Sequence, residues 1–333
     1  MLRRTLMGAS IGASLAAPAL LGRAAQAQTR LRWAHVYETN EAYHTEALWA
    51  AQQIAARTSN RWAIEVFPAS ALGNEPTINQ GLALGTVDMI YTGVAFAGAT
   101  YKPIAIGNAP YVFRDYGHFM AYRNSDLLRE MMDGYNRQSR HNALALTYYG
   151  QRHVTANRSV MRPEDMRGMK LRVPQAPLFL MFTRSVGANA TPIAFAEVYL
   201  ALQQGTVDGQ ENPLPTIQAK KFYEVQSHIS LTGHITESLL TIVSGNTWRR
   251  LSDADKAVFT EVLKEASSRA TQAIRTAELS LPPWFAQQGK TVQEPDRAAF
   301  RAAAVPLHND AGAGAGWTRD QYDRLQAIAS LAG

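Results

Sequence analysis

GMKLRVP (Gly168–Pro174) and FAEVYLALQQGTVDGQENP (Phe195–Pro213) are the stretches that decide the fold. The first is a short strand closed by a proline. The second is a helix that stops at Gly205, a residue suited to the left-handed position after a helix, and then enters another strand. The same junction occurs earlier in the chain. Leu82-Ala83-Leu84-Gly85-Thr86-Val87-Asp88 is matched by Leu200-Ala201-Leu202, then Gly205-Thr206-Val207-Asp208. One helix-to-strand junction used twice implies two similarly built lobes. In open α/β sheets ligands lie beyond the carboxyl ends of the strands. The residues after each copy, Tyr91–Phe96 and Gln210–Pro213, are therefore expected to face a shared cleft.

The flanking sequence has the same alternation. Leu31–Val36, Trp62–Phe67 and Val87–Tyr91 read as strands, the second bounded by Pro68. Between them lie a helix with an apolar stripe (Ala47, Leu48, Ala51, Ile54, Ala55), capped at Asn40, and a short helix from Pro76 to Gly85. Further on, Ser125 caps a helix and Ala143–Tyr149 is a strand stopped by Gly150. Leu178–Val186 is a helix stopped by Gly187, and Leu239–Ser244 is a late strand. Ser252 with Asp255 resembles a capping box. It opens a helix to about Leu281, ended by Pro282-Pro283, of roughly 30 residues or about 45 Å. Such a helix is long enough to extend beyond one lobe. Strands alternating with helices at these lengths define an α/β protein with parallel sheets.

With 333 residues the chain has length for about two domains. It contains no cysteine, which excludes disulfides and thiolate metal sites. The first 27 residues read as an export signal: Arg3-Arg4, an apolar run Leu6–Leu21, and Ala25-Gln26-Ala27 as the cleavage motif. The paired arginines fit the twin-arginine and the general secretory routes equally, and both lead to the periplasm. Loss of Arg3, Arg4 and Arg23, with no acid, takes the formal charge from +6 to +3. No Lys/Arg block remains, so nucleic acid is not an expected partner.

Arg172 sits on a strand between Lys170 and Pro174. Spacing alone fits a surface arginine as well as a carboxylate clamp, for which the planar guanidinium fork is suited. Arg152, just after Gly150, is a second candidate. Asn212 precedes Pro213 in extended geometry and reads as a turn residue or an outward-facing amide. Phe195 shares a stripe with Val198 and Leu202, which fits core packing or a pocket wall. Zincin, nucleophile-elbow and phosphate-loop motifs are absent, and the eight histidines lack ligand spacing. No enzymatic constellation and no cofactor is therefore expected. Gly312–Gly316 reads as a flexible turn.

MKLRVP, VGANATPIAFAEVYLALQQGTVDGQENP and KKFYEVQSHISLTGH, in that order, resemble the solute-binding proteins of TRAP transporters, the DctP family. Weaker similarity covers nearly the whole chain after the signal. The resemblance implies a two-lobed periplasmic binding protein fold, with crossing hinge strands and a long helix bracing both lobes. The lobes are expected over 28–149 with 235–280, and over 150–234 with 281–333. It implies a monomer that closes on a small organic carboxylate and delivers it to small and large membrane subunits. Arg172 matches the main carboxylate anchor, Arg152 and Asn212 the second anchors, and Phe195 a pocket wall. The central block is close to sialic-acid-binding members. Gly93-Val94-Ala95-Phe96 and Val36 stand where those carry polar side chains, so a smaller hydroxylated acid such as a uronate is favoured. Glu75, His44 and Tyr91 are the expected polar partners from the first lobe, with Tyr37 and Glu38 as further candidates. A dicarboxylate or keto acid is the alternative ligand. A periplasmic lyase or hydrolase is the alternative function.

Overall fold

A computed structural model describes residues 28–331. The expected export signal and its cleavage motif lie outside these residues. Nine strands form one sheet: β1 (Thr29–Ala34), β2 (Trp62–Phe67), β3 (Met89–Gly93), β4 (Asn142–Ala156), β5 (Lys170–Val173), β6 (Asn189–Pro192), β7 (Gly209–Pro213), β8 (His228–Val243) and β9 (Thr291–Gln293). Their order is β2-β1-β3-β8-β4-β7-β5-β6, with β9 beside β8. Two parallel triplets, β2-β1-β3 and β7-β5-β6, flank a central antiparallel pair. That pair, β4 and β8, runs from one triplet to the other. Val243 opposes Asn142 beside β3, and His228 opposes Ala156 beside β7.

The duplicated junction performs the same work in both triplets. Gly85 (φ 74°) and Gly205 (φ 68°) take the left-handed conformation that ends each helix. The Thr86 and Thr206 amides then donate to the carbonyls of Gly81 and Ala201. Asp88 accepts from the Arg32 amide at 2.9 Å, and Asp208 accepts from the Lys170 amide at 2.8 Å. Each aspartate thereby ties the returning strand to the parallel strand before it.

Four expectations about elements are corrected. The strand expected to stop at Gly150 continues to Ala156, and the late strand begins at His228 rather than Leu239. Gly150 (φ 120°) marks a bulge, since Tyr148 pairs with Ser238 but Gly150 with Glu237. The long helix runs from Asp253 to Gln287 with Pro282 and Pro283 inside it, 35 residues or about 52 Å. Its last turn is held by Trp284 and Phe285 against Tyr223, at 5.2 and 5.7 Å between ring centroids, which offsets the two missing backbone bonds. The first long helix, α1 (Ala42–Arg57), has Glu41 rather than Asn40 at its N-cap. The second, α2 (Glu75–Leu84), is capped by Asn74, whose side chain accepts from the Thr77 amide at 3.0 Å.

The long helix lies along β4. Ser267 donates to the Leu146 carbonyl at 2.9 Å, Thr271 accepts from the Tyr148 amide at 3.1 Å, and Glu278 accepts from the Gln151 amide at 2.6 Å. Arg269–Glu46 (2.5 Å) and Arg57–Glu261 (2.6 Å) join it to α1.

Candidate functional site

All six parallel strands deliver residues to one cavity, at or just beyond their carboxyl ends. Tyr37 follows β1, Glu75 follows β2, and Gly93 ends β3. Arg172 and Pro174 lie at the end of β5, Phe195 follows β6, and Asn212 lies at the end of β7. Tyr149 and Arg152 of β4, Glu237 of β8 and Phe96 complete the wall. The cavity volume is about 20 Å³, room for about one water molecule.

Arg172 is 1% exposed. Its Nε and Nη2 donate to the Ile193 carbonyl at 3.0 and 2.7 Å, and Nη1 has no hydrogen-bond partner among the described residues. No carboxylate lies within ion-pair distance of it there. The Phe195 ring centroid is 5.9 Å from the guanidinium carbon. Burial pulls the guanidinium down to about 10, opposed by the field of Glu75. Arg172 is thus a buried cation with an unused donor at the cavity wall.

Arg152, 2% exposed, is in the opposite condition. It pairs with Glu211 and Glu237, and its Nη2 also bonds Glu211 Oε1 at 2.8 Å. Its guanidinium is already compensated within the protein, so it stands at the cavity wall as a pre-engaged cation. One guanidinium cannot neutralise two carboxylates, and the two separate. Burial would raise Glu211, but Arg152 and a hydrogen bond with His234 (3.2 Å) bring it below the usual carboxylate range. Burial pushes Glu237 up to about 7 despite Arg152. Burial also raises Glu75, which is 8% exposed at the first turn of α2.

Asn212 donates to Gln210 Oε1 at 2.6 Å and accepts from the Tyr149 hydroxyl at 3.4 Å. The Thr216 hydroxyl in turn donates to Glu41 at 2.7 Å and lies 3.1 Å from the Tyr149 hydroxyl. Five of the seven candidates therefore meet at the cavity: Arg172, Arg152, Asn212, Phe195 and Glu75. His44 and Tyr91 do not. His44 Nδ1 lies 3.2 Å from His35 Nε2, and Tyr91 sits behind the wall, 4.9 Å from Trp33 and 6.5 Å from Tyr43 between ring centroids. Tyr91 is two residues back from the carboxyl end of β3, deep enough for these rings to cover it. Glu38 is paired with Lys220 at 2.7 Å, away from the cavity wall. Tyr149, Glu211 and Glu237 were not anticipated. Tyr149 reads as strand core, and the two glutamates meet Arg152 only through pairing of distant strands.

The two parallel lobes, the crossing strands and a buried cation at their junction define a two-lobed solute-binding protein. Over residues 33–313 the sequence matches the bacterial extracellular solute-binding proteins of family 7, DctP, and the chain belongs to that family. The family and its structural neighbours are binding proteins of TRAP transport rather than enzymes. Among relatives, the sialic acid-binding periplasmic protein SiaP of Vibrio cholerae is 37% identical over 74% of this chain and 77% of its own. A TRAP periplasmic solute-binding protein from Polaromonas, solved with D-erythronate, superposes with a TM-score of 0.86 at 29% identity, covering 91% of this chain and all of the other. One from Roseobacter denitrificans, solved with L-galactonate, gives 0.83 at 29% identity over 90% and 98%.

Proposed function

We propose that the protein captures a hydroxylated monocarboxylate, a sugar acid of the uronate or aldonate class, in the periplasm and delivers it to the small and large membrane subunits of a TRAP transporter. The observation that carries this reading is Arg172 Nη1, a buried charged donor without a hydrogen-bond partner among the described residues. Relatives solved with D-erythronate and L-galactonate support the ligand class. Sialic acid is disfavoured although SiaP is a relative. Gly93 and Phe96 offer the cavity no polar side chain, and a nine-carbon sugar acid would leave its hydroxyls unmatched there. A dicarboxylate or keto acid has less support, because among the described residues the cavity has one unpaired cation, Arg172, which serves a single carboxylate.

In this reading the mature chain begins near Gln28 and acts as a monomer. The lobes are 28–149 with 235–280 and 150–234 with 281–333. The C-terminal helix Arg319–Ala327 strengthens their contact, since Arg114 donates to the Gln326 carbonyl at 2.9 Å. A cavity of about 20 Å³ admits a sugar acid only if the lobes separate, and the irregular pairing around Gly150 and Gly233 supplies a hinge.

Thermal-shift and calorimetric titration of the mature protein with uronates, aldonates, keto acids and dicarboxylates tests the reading. Sugar acids should raise the melting temperature and titrate, and the Arg172→Ala variant should lose both responses. Binding that survives Arg172→Ala overturns it.

A further inference from the structure

Charge at the cavity does not balance for a simple anion. Arg152 and Arg172 bring two positive charges. Glu75, Glu211 and Glu237 bring three carboxylates, all buried. Arg152 is taken up by Glu211 and Glu237, so among the described residues lining the cavity only Arg172 remains to meet an incoming carboxylate. A ligand with a second carboxylate would place it against Glu237 or Glu75, with no cation left to offset the repulsion.

Glu237 is placed to do more than repel. It projects from the middle of β8, where the pairing of β4 with β8 is interrupted by bulges. Its Oε2 holds Arg152 Nη1, which fixes the carboxylate in the cavity wall. Its Oε1 accepts no hydrogen bond from the described residues and lies 3.1 Å from where a Cβ would stand on Gly93. Because Gly93 has no side chain, that oxygen has room to face a ligand. The groups facing Glu237 from neighbouring elements are Arg152 and Tyr149 of β4, Glu211 of β7, Glu75 of α2, Tyr43 of α1 and Tyr37 after β1. None of them offers Oε1 a hydrogen. Arg172 Nη1, also at the cavity wall, is an unused donor among the described residues, and Glu237 Oε1 is an unused acceptor. The complementary molecule has an acceptor at one end and a hydroxyl donor at the other.

We infer that Glu237 is the specificity-determining residue of this site, accepting a ligand hydroxyl through Oε1 and selecting hydroxy monocarboxylates against dicarboxylates. The inference rests on the reading of Arg172 as the carboxylate anchor.

Two matched ligand pairs test it by calorimetry at pH 8. D-Erythronate and meso-tartrate differ only in a terminal hydroxymethyl against a carboxylate, as do L-galactonate and galactarate. The wild-type protein should bind at least one monocarboxylate at least 100-fold tighter than its dicarboxylate partner. Glu237→Gln keeps an oxygen for Arg152 and turns an amide donor toward the cavity. It should weaken the monocarboxylate about tenfold, strengthen the dicarboxylate about tenfold, and so compress the ratio about 100-fold, with an unchanged far-ultraviolet spectrum. Should Glu237→Gln fail to fold, Gly93→Ala serves instead. It leaves every charge in place and crowds Oε1, and should weaken the monocarboxylate with no gain for the dicarboxylate. Equal or reversed preference in the wild type, or a ratio that neither variant moves, overturns the role of Glu237 while leaving the Arg172 reading intact. Loss of discrimination with binding that survives Arg172→Ala overturns the anchor reading, as does binding of none of the four acids, and the inference falls with it.

Discussion

Replacing Arg172 with methionine should leave the ligand-free protein as stable as the wild type, or more stable, while removing ligand binding. Burial pulls the folded guanidinium from its ordinary value down to about 10, which disfavours the charged form by about 3 kcal/mol. Methionine of similar length relieves that cost. Against it stands the loss of two hydrogen bonds to the Ile193 carbonyl, about 1–3 kcal/mol in total. The net expectation is between 0 and about 2 kcal/mol of added stability. Urea denaturation without ligand measures it directly. A saturating acid at 100 times its Kd adds about 2.7 kcal/mol to the wild type and nothing to the variant. The order of the two proteins should therefore reverse when ligand is added. A ligand-free Arg172→Met protein destabilised by more than about 2 kcal/mol would refute the reasoning, because it would make the guanidinium a structural group.

Arg152→Met should behave oppositely, costing about 3–5 kcal/mol in the same urea titration because Glu211 and Glu237 are stranded in a buried site; a loss below about 1 kcal/mol would contradict the pre-engaged role. Glu237 holds its proton more tightly folded than unfolded, up to about 7 against 4.5. Its contribution to stability is therefore full below pH 4.5 and is lost as pH rises through 7. From pH 5 to 8 the wild type should lose up to about 3 kcal/mol relative to Glu237→Gln; parallel stability curves would show that the carboxyl is not shifted. Gly150→Ala meets both a φ of 120° and a Pro213 Cβ at 2.7 Å from the new methyl. It should cost at least about 1–3 kcal/mol and disturb the bulge beside Glu237, which comparison of denaturation midpoints and ligand affinity would reveal.

The parallel triplets were legible because their determinants are local. A helix stop, a left-handed glycine and an aspartate bridging to the previous strand lie within a few residues, and the chain uses them twice. The central pair was misread because Gly150 carries the signal of a strand end, although its neighbours on β8 carry the pairing onward. The two prolines misled in the same way, since rings distant in sequence hold the helix past them. At the site, Arg172, Asn212 and Phe195 were visible because each sits at a recognisable strand or helix end. The state of Arg152 was not visible. Its partners Glu211 and Glu237 lie 59 and 85 residues away and meet it only when β7, β4 and β8 pair. Tyr91 lies deep along β3 and His44 lies in the first turn of α1 against His35, and the folded core covers both, a distinction that depends on packing and not on residue type.

The most direct test of the central claim is the crystal structure of the mature protein with the sugar acid that gives the largest thermal shift. A ligand carboxylate oxygen is expected within about 3 Å of Arg172 Nη1, with the Arg152–Glu211 pair undisturbed. A ligand carboxylate seated elsewhere, with Nη1 still without a partner, would contradict it.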